Sequence, residues 1–208
     1  MRCGLLIGRL VSTRVTIRVN TVISANIADA TREHDRVNSE RIRDQFGSYH
    51  VRVLEQDDKN RLASLCSTHS GSDICRTLAV TCFAKPTPPT LLEADALIRA
   101  GQSIGSTLEQ AKLQISRELI AEASAQCGEA FALMSGGSVR VGEQLYVRLY
   151  RLDAGEHGAL LAPYATIAEA HHPTLTPTNP EAISAEKLDQ DVWSGDAILA
   201  LQTLAAAL

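Results

Sequence analysis

Apolar and polar residues alternate along "SYHVRVLEQ". Tyr49, Val51 and Val53 share one side of an extended chain, and His50 and Arg52 the other. After the turn-like "DDKN" come "RLASLCS" and "DICRTLAVTCFA", two further extended runs around a Gly-Ser-Asp turn. In the second of these, Leu78, Val80 and Cys82 fall on one face with Ile74, and Arg76 joins that face near the start. Short links between the three runs predict an antiparallel meander. Upstream, Asn38 or Ser39 can cap a short helix over "SERIRDQF", stopped by Gly47. "KPTPPT" ends the meander, because proline has no N–H for a ladder.

The period then lengthens to that of a helix. Thr90 and Glu93 form a capping-box pattern, and Leu91, Ala94, Leu97, Ile98, Gly101, Ile104, Gly105 and Leu108 recur on one side. One helix over 90–110 is predicted. Each glycine on its apolar side costs about 1 kcal/mol relative to alanine, which fits a close approach to a sheet or a break at "GQSIG". The region 112–140 is ambiguous: Leu113, Ile115, Arg117 and Leu119 alternate as in a strand, while its Ala and Glu content favours helix. "EQLYVRLYRL" and "APYATIAEAH" form a hairpin around "DAGEHG", with Leu145, Val147 and Leu149 on one face and Tyr146, Arg148 and Tyr150 on the other. Beyond His172, "PTLTPTNP" has the composition of a linker. "EAISAEKLDQDVW" and "GDAILALQTLAAAL" then read as helical, the last free to dock on the domain or on a partner.

Residues 1–28 hold four arginines and no acidic residue, with no clean apolar signal core, and "TVISANIADA" ends in small residues like a processing site. A leader-like or transit-like segment outside the fold is expected. The alternation of "RVTIRVNTVI" supports a competing reading as a first strand. The whole pattern predicts an α+β domain: an antiparallel or mixed sheet of about five or six strands, one long helix on a face, and a helical C-terminal extension. The expected boundaries are a leader-like or disordered 1–36, a core over 37–173, and a linker with helical extension over 174–208.

Composition narrows the class. The chain has 208 residues, 45% of them hydrophobic, enough for one cored domain plus extensions, and only 4% aromatic, so the core must be aliphatic. A formal net charge of -4 argues against nucleic acid, which needs a concentrated basic surface. No apolar run is long enough for an ordinary transmembrane span. None of the five cysteines sits in a CxxC pair. Cys66 and Cys75 flank "STHSGSD"; opposite each other on a hairpin they form a possible disulfide, and otherwise they are small buried thiols.

The candidate chemistry centres on "YATIAEAHHP". Along a strand Ile167, Glu169 and His171 point one way, and Thr166, Ala168, Ala170 and His172 the other. The adjacent histidines therefore cannot serve one metal. Glu169 and His171 remain as a weak catalytic or metal-ligating pair, in which the carboxylate would fix the imidazole tautomer. Pro173 ends the strand, so His172 is expected in solvent. The pair needs a third polar group, such as His69, His157 or Asp153, within reach inside a pocket. "GQSIGS" lacks the lysine and spacing of a phosphate loop, and Ser103 reads as a helix cap. Arg52, Arg76, Arg148 and Arg151 fall on expected strands and would make a modest anion-attracting patch beside Tyr146 and Tyr150, or a solvated sheet face.

The series "FGSYHVRVL", "ICRTLAV", "IRAGQSIGSTL", "LYVRLYRL" and "YATIAEAHHP" resembles a small group of uncharacterised bacterial α+β domains, over about residues 39–173. His50 stands where that group usually has glycine, and 112–141 departs from it. The resemblance implies a compact, exported domain and no particular activity or functional residue. The leading expectation is a non-catalytic cell-envelope domain, periplasmic or exported, that binds a protein partner or a small ligand. The alternative is a small hydrolase or metal-dependent enzyme using Glu169 and His171, with a cytoplasmic location as the second choice. No cofactor is expected.

Overall fold

The structure, a computed structural model, describes residues 18–20, 38–175 and 195–208. Its centre is a seven-stranded sheet in which every pairing is antiparallel. The strands are β1 (Arg18–Asn20), β2 (His50–Gln56), β3 (Asn60–His69), β4 (Ser72–Phe83), β5 (Gln114–Gln126), β6 (Gln144–Gly155) and β7 (Ala162–His171), in the spatial order β1-β5-β6-β7-β4-β3-β2. The meander expected over 48–83 is β2-β3-β4, and the expected hairpin is β6-β7. The ambiguous 112–140 resolves into β5 followed by a short helix, α4 (Glu129–Met134). The remaining helices are α1 (Asn38–Phe46), α2 (Leu92–Arg99), α3 (Ile104–Gln110) and α5 (Gly195–Ala207).

The sheet has seven strands rather than the five or six expected. The extra pairing is β1, which adds Arg18–Asn20 to the edge of β5. That is the outcome the alternation of "RVTIRVNTVI" pointed to; the rest of the leader-like 1–36 lies outside the described residues. The single helix expected over 90–110 is two. Gly101 at φ +105° closes α2, and Ser103 in an extended conformation starts α3. Positive φ is cheap only without a Cβ, so the chain turns where the apolar period runs on undisturbed.

A bulge corrects one facing assignment. Leu65 pairs with Thr77 and Cys66 with Cys75, so Arg76 is the unpaired extra residue and the alternation slips by one. Cys75, not Arg76, joins Leu78, Val80 and Cys82 in the core. Arg76 instead lays its guanidinium 3.8 Å above the Phe46 ring of α1 and donates to Ser67 Oγ.

Two hydrophobic layers flank the sheet. On one face, Leu78, Val80, Val147, Leu149, Ala168 and Ala170 pack under α4 and α5. The α5 residues Ala197, Ala200, Leu201 and Leu204 are all buried there. This helix docks on the sheet, one of the two outcomes its composition left open. The small residues Ala168 and Ala170 of β7 belong to the same buried cluster as Ala197 and Ala200 of α5. Gly128, at the head of α4, sits so near the backbone of Leu208 that a Cβ would lie 2.4 Å from its carbonyl oxygen. On the other face, α2 and α3 cover Phe83, Tyr150, Leu152, Tyr164 and Ile167, and α1 covers the end of the sheet where β7 finishes. Among the described residues no helix is long and apolar enough to cross a membrane.

Candidate functional site

The face under α1–α3 carries a row of polar side chains in the middle of the sheet. Alternation along β6 points Tyr146, Arg148 and Tyr150 inward, as the sequence indicated, but the face is covered rather than solvated, and all three are buried. β7 brings Glu169 and His171 beside them. Arg148 Nε donates to Glu169 Oε2 at 2.7 Å, and Tyr150 Oη donates to Glu169 Oε1 at 3.2 Å. Burial alone would lower the basicity of Arg148, but the adjacent Glu169 carboxylate carries it above the usual arginine value. Glu169 therefore spends its charge on Arg148.

His171 is fully buried behind this pair. Its Nε2 lies 3.5 Å from Glu169 Oε2, within ion-pair reach but without hydrogen-bond alignment. Its Nδ1 lies 3.3 Å from Thr77 Oγ1, which accepts from Asn38 Nδ2 at 3.0 Å. The Tyr146 ring stacks at 5.5 Å. The third groups considered from the sequence are elsewhere: His69 and His157 are exposed, and Asp153 pairs with Arg151 at 3.0 Å. Among the described residues, no three His, Cys, Asp or Glu side chains gather as metal ligands.

His172 is the second correction. It is buried, not solvated, because the turn Pro173–Leu175 folds back over it. Ser138 Oγ lies 3.0 Å from Nε2 and Thr174 Oγ1 lies 2.8 Å from Nδ1, the outline of a nucleophile, base and orienting group. The surroundings oppose that chemistry. Burial lowers the His172 pKa to about 4, helped by Arg76 and opposed by Glu143, which makes a weak base near neutrality. The Ser138 hydroxyl also reaches the Ser135 carbonyl at 2.6 Å. The amides of Gly136, Gly137 and Ser138 are spent on carbonyls of Leu133, Ala132 and Ser135, leaving no oxyanion donors in that turn. The trio instead pins the turn after α4 to the end of β7.

Both imidazoles are held neutral, and stability should show it. Burial, then Arg148 and Arg41, keep the His171 pKa well below its usual value. An unfolded chain protonates these groups near pH 6.5. Below that pH the unfolded state binds more protons than the folded one, so stability falls as pH falls towards 4, at up to about 1.4 kcal/mol per unit for each histidine. The contribution is complete above about pH 6.5. Urea midpoints should be level from about pH 8 to 7 and drop from about pH 6.5 to 5. A midpoint flat across that lower window would contradict neutral burial.

Beside the Arg148–Glu169 pair the helices leave a cavity of about 70 Å³, several times the roughly 10–15 Å³ that one water needs by this measure. Its wall comes from α1, β2, β3, β4, β5, β6, β7 and the start of α3. His171 is not part of the wall; Glu169 is. The wall also contains two arginines that sequence reasoning did not single out as site residues. Arg61, on the inward face of β3, is 2% exposed and donates through Nη1 to the carbonyls of Ile98 at 3.1 Å and Gln102 at 2.9 Å. These lie at the C-terminal end of α2, where a cation suits the helix dipole. "GQSIGS" thus presents carbonyls to a guanidinium, the reverse of a phosphate loop. Arg117 reaches the wall from β5. On the same wall, Tyr49 Oη donates to Ser103 Oγ at 3.0 Å, and burial raises the tyrosine pKa. The signal for Arg61 was its place in strict alternation with Ala63 and Leu65, an inward charge among small apolar neighbours.

No protein-family model matches this chain, and no curated protein matches it. The site is therefore read from its own chemistry.

The remaining candidates sort simply. Of the arginines considered as a surface patch, only Arg148 reaches this site; Arg52 and Arg151 are exposed, and Arg151 pairs with Glu118 at 2.7 Å. Cys66 and Cys75 stand opposite each other in the β3–β4 register, as their spacing indicated, and both are free and buried. Burial pushes the Cys75 thiol up to about 12, and the Cys66 thiol also upward, so neither is primed as a nucleophile.

Proposed function

We propose that this is a non-catalytic binding domain whose cavity, between the sheet and α1–α3, takes a small ligand. The observation that carries this reading is a cavity whose wall keeps polar capacity unspent. Asn38 Oδ1 and Arg61 Nε are both buried without a hydrogen-bond partner among the described residues, and both residues line it. Buried polar atoms are nearly always satisfied in a finished core, so orphans on a cavity wall favour an occupant. The Glu169–His171 alternative draws less support. Glu169 is committed to Arg148, and His171 is not among the residues that line the cavity.

The test is a thermal-shift screen of small metabolites on the full chain, repeated with Ala79→Leu. Ala79 lines the cavity, and the larger side chain fills it. A ligand at 100 times its Kd adds about 2.7 kcal/mol, which raises the Tm of a domain this size by several degrees. Shifts are expected in the wild type and not in Ala79→Leu. Hits that shift both alike, or a panel that shifts neither, would count against the cavity.

A further inference from the structure

We propose that the ligand is a short organic carboxylate and that Arg117 is its anchor. This rests on the binding reading above and names the chemistry of the same site. Three arginines and one glutamate are the charged residues on the cavity wall. Arg148 is neutralised by Glu169 at 2.7 Å, and Arg61 is held by helix-end carbonyls. Arg117 has neither. It makes no hydrogen bond or ion pair among the described residues, and its cross-strand partner is Leu152. The acid next to it in sequence, Glu118, points to the other side of β5 and is taken by Arg151 at 2.7 Å.

A half-buried guanidinium facing a cavity without a counter-charge is electrostatically incomplete. A planar carboxylate completes it with two parallel N–H···O bonds. The rest of the wall decides what the carboxylate is attached to. Val51, Ala63, Ala79, Leu152 and Ile167 are apolar and line the same space, which suits a hydrocarbon body attached to the carboxylate better than an ion that is polar on every side, such as inorganic phosphate. A cavity of about 70 Å³ suits a body of a few carbons. The Tyr49 and Ser103 hydroxyls, on the same wall, would meet a second polar group such as a hydroxyl.

The experiment is titration calorimetry on the full chain with butyrate, 2-hydroxybutyrate and hexanoate, with butyramide as the neutral isostere, and with inorganic phosphate. At least one carboxylate should bind, and butyramide should bind at least tenfold more weakly. Arg117→Met should weaken the carboxylate about 10- to 100-fold, the loss of charge-assisted hydrogen bonds. Arg117→Lys should recover part of that, and Arg52→Met, on the exposed side of β2, should bind like wild type. Thermal melts establish that each variant is folded; if Arg117→Met is not, Arg117→Lys and the amide comparison still decide. Butyramide or phosphate binding as well as the carboxylates would overturn the carboxylate assignment and leave small-ligand binding standing. Arg117→Met binding carboxylate undiminished would overturn the role of Arg117. No binding of any carboxylate would overturn the proposal, while the wider metabolite screen still judges the cavity itself.

Discussion

Glu169→Ala should destabilise the domain by about 3–5 kcal/mol, because it strands a buried arginine. Arg148 is 6% exposed, and its ion pair is made through Nε to Glu169 at 2.7 Å. Removing the carboxylate also orphans the Tyr150 hydroxyl, which is buried beside it. Against a typical total stability of roughly 5–15 kcal/mol, this single change consumes a large part. The informative comparison is Arg148→Met/Glu169→Leu. An apolar replacement of a buried pair is often neutral or stabilising, so the double variant should recover most of the loss, less about 1–3 kcal/mol for the unsatisfied Tyr150 hydroxyl. Urea unfolding at neutral pH measures both. Equal losses in the single and double variants would mean that Glu169 supplies packing rather than charge.

The second large effect concerns α5. A chain ending at residue 194 should lose its cooperative thermal transition and bind a hydrophobic dye. The helix buries Ala197, Ala200, Leu201 and Leu204 against one face of the sheet. Each leucine contributes about 1.5–3 kcal/mol by burial alone, and its removal also bares Leu78, Val80, Val147 and Leu149. The milder form of the experiment is Leu204→Ala, expected to cost about 2–5 kcal/mol. A truncated chain that melts like the full one would show that α5 rests on the domain without belonging to it.

Both effects bear on what the sequence could say. The strands with clean two-residue alternation and turn signals, β2-β3-β4 and β6-β7, were legible with their faces, except where the bulge at Arg76 slips the alternation of β4. The role of α5 was half legible. "AILALQTLAAAL" is apolar on nearly every side, as a helix buried in a core is, but nothing local says what buries it. The break between α2 and α3 falls at "GQSIG", one of the two explanations its glycines offered, but the apolar period runs on across it and did not decide between them. His172 was misplaced because proline after a strand suggests departure, whereas Pro173–Leu175 turns back as a short 3-10 helix and brings Thr174 onto the imidazole. Glu169 was found for its neighbour His171, yet its partner is Arg148, one strand away. The cavity could not be seen at all. Its wall draws one to three residues from each of several elements spread from Asn38 to Glu169, and Arg117 sits in the very stretch whose strand or helix character was unresolved.

The strand order carries a consequence for how the chain reaches this structure. β2-β3-β4 and β6-β7 are joined by short turns, and β5 reaches β6 through the segment that holds α4, but in the sheet the two groups meet only where β4 pairs with β7. Thr77 and His171 face each other there from 94 positions apart. Hairpins form in microseconds, while contacts so distant along the chain must first overcome loop-closure entropy, and folds dominated by them are slow to form. Closing the seam between the two halves of the sheet is therefore expected to come late in folding. Until it closes, the apolar side of β7 and the unpaired edge of β4 are open to other chains, and concentration will decide between folding and aggregation.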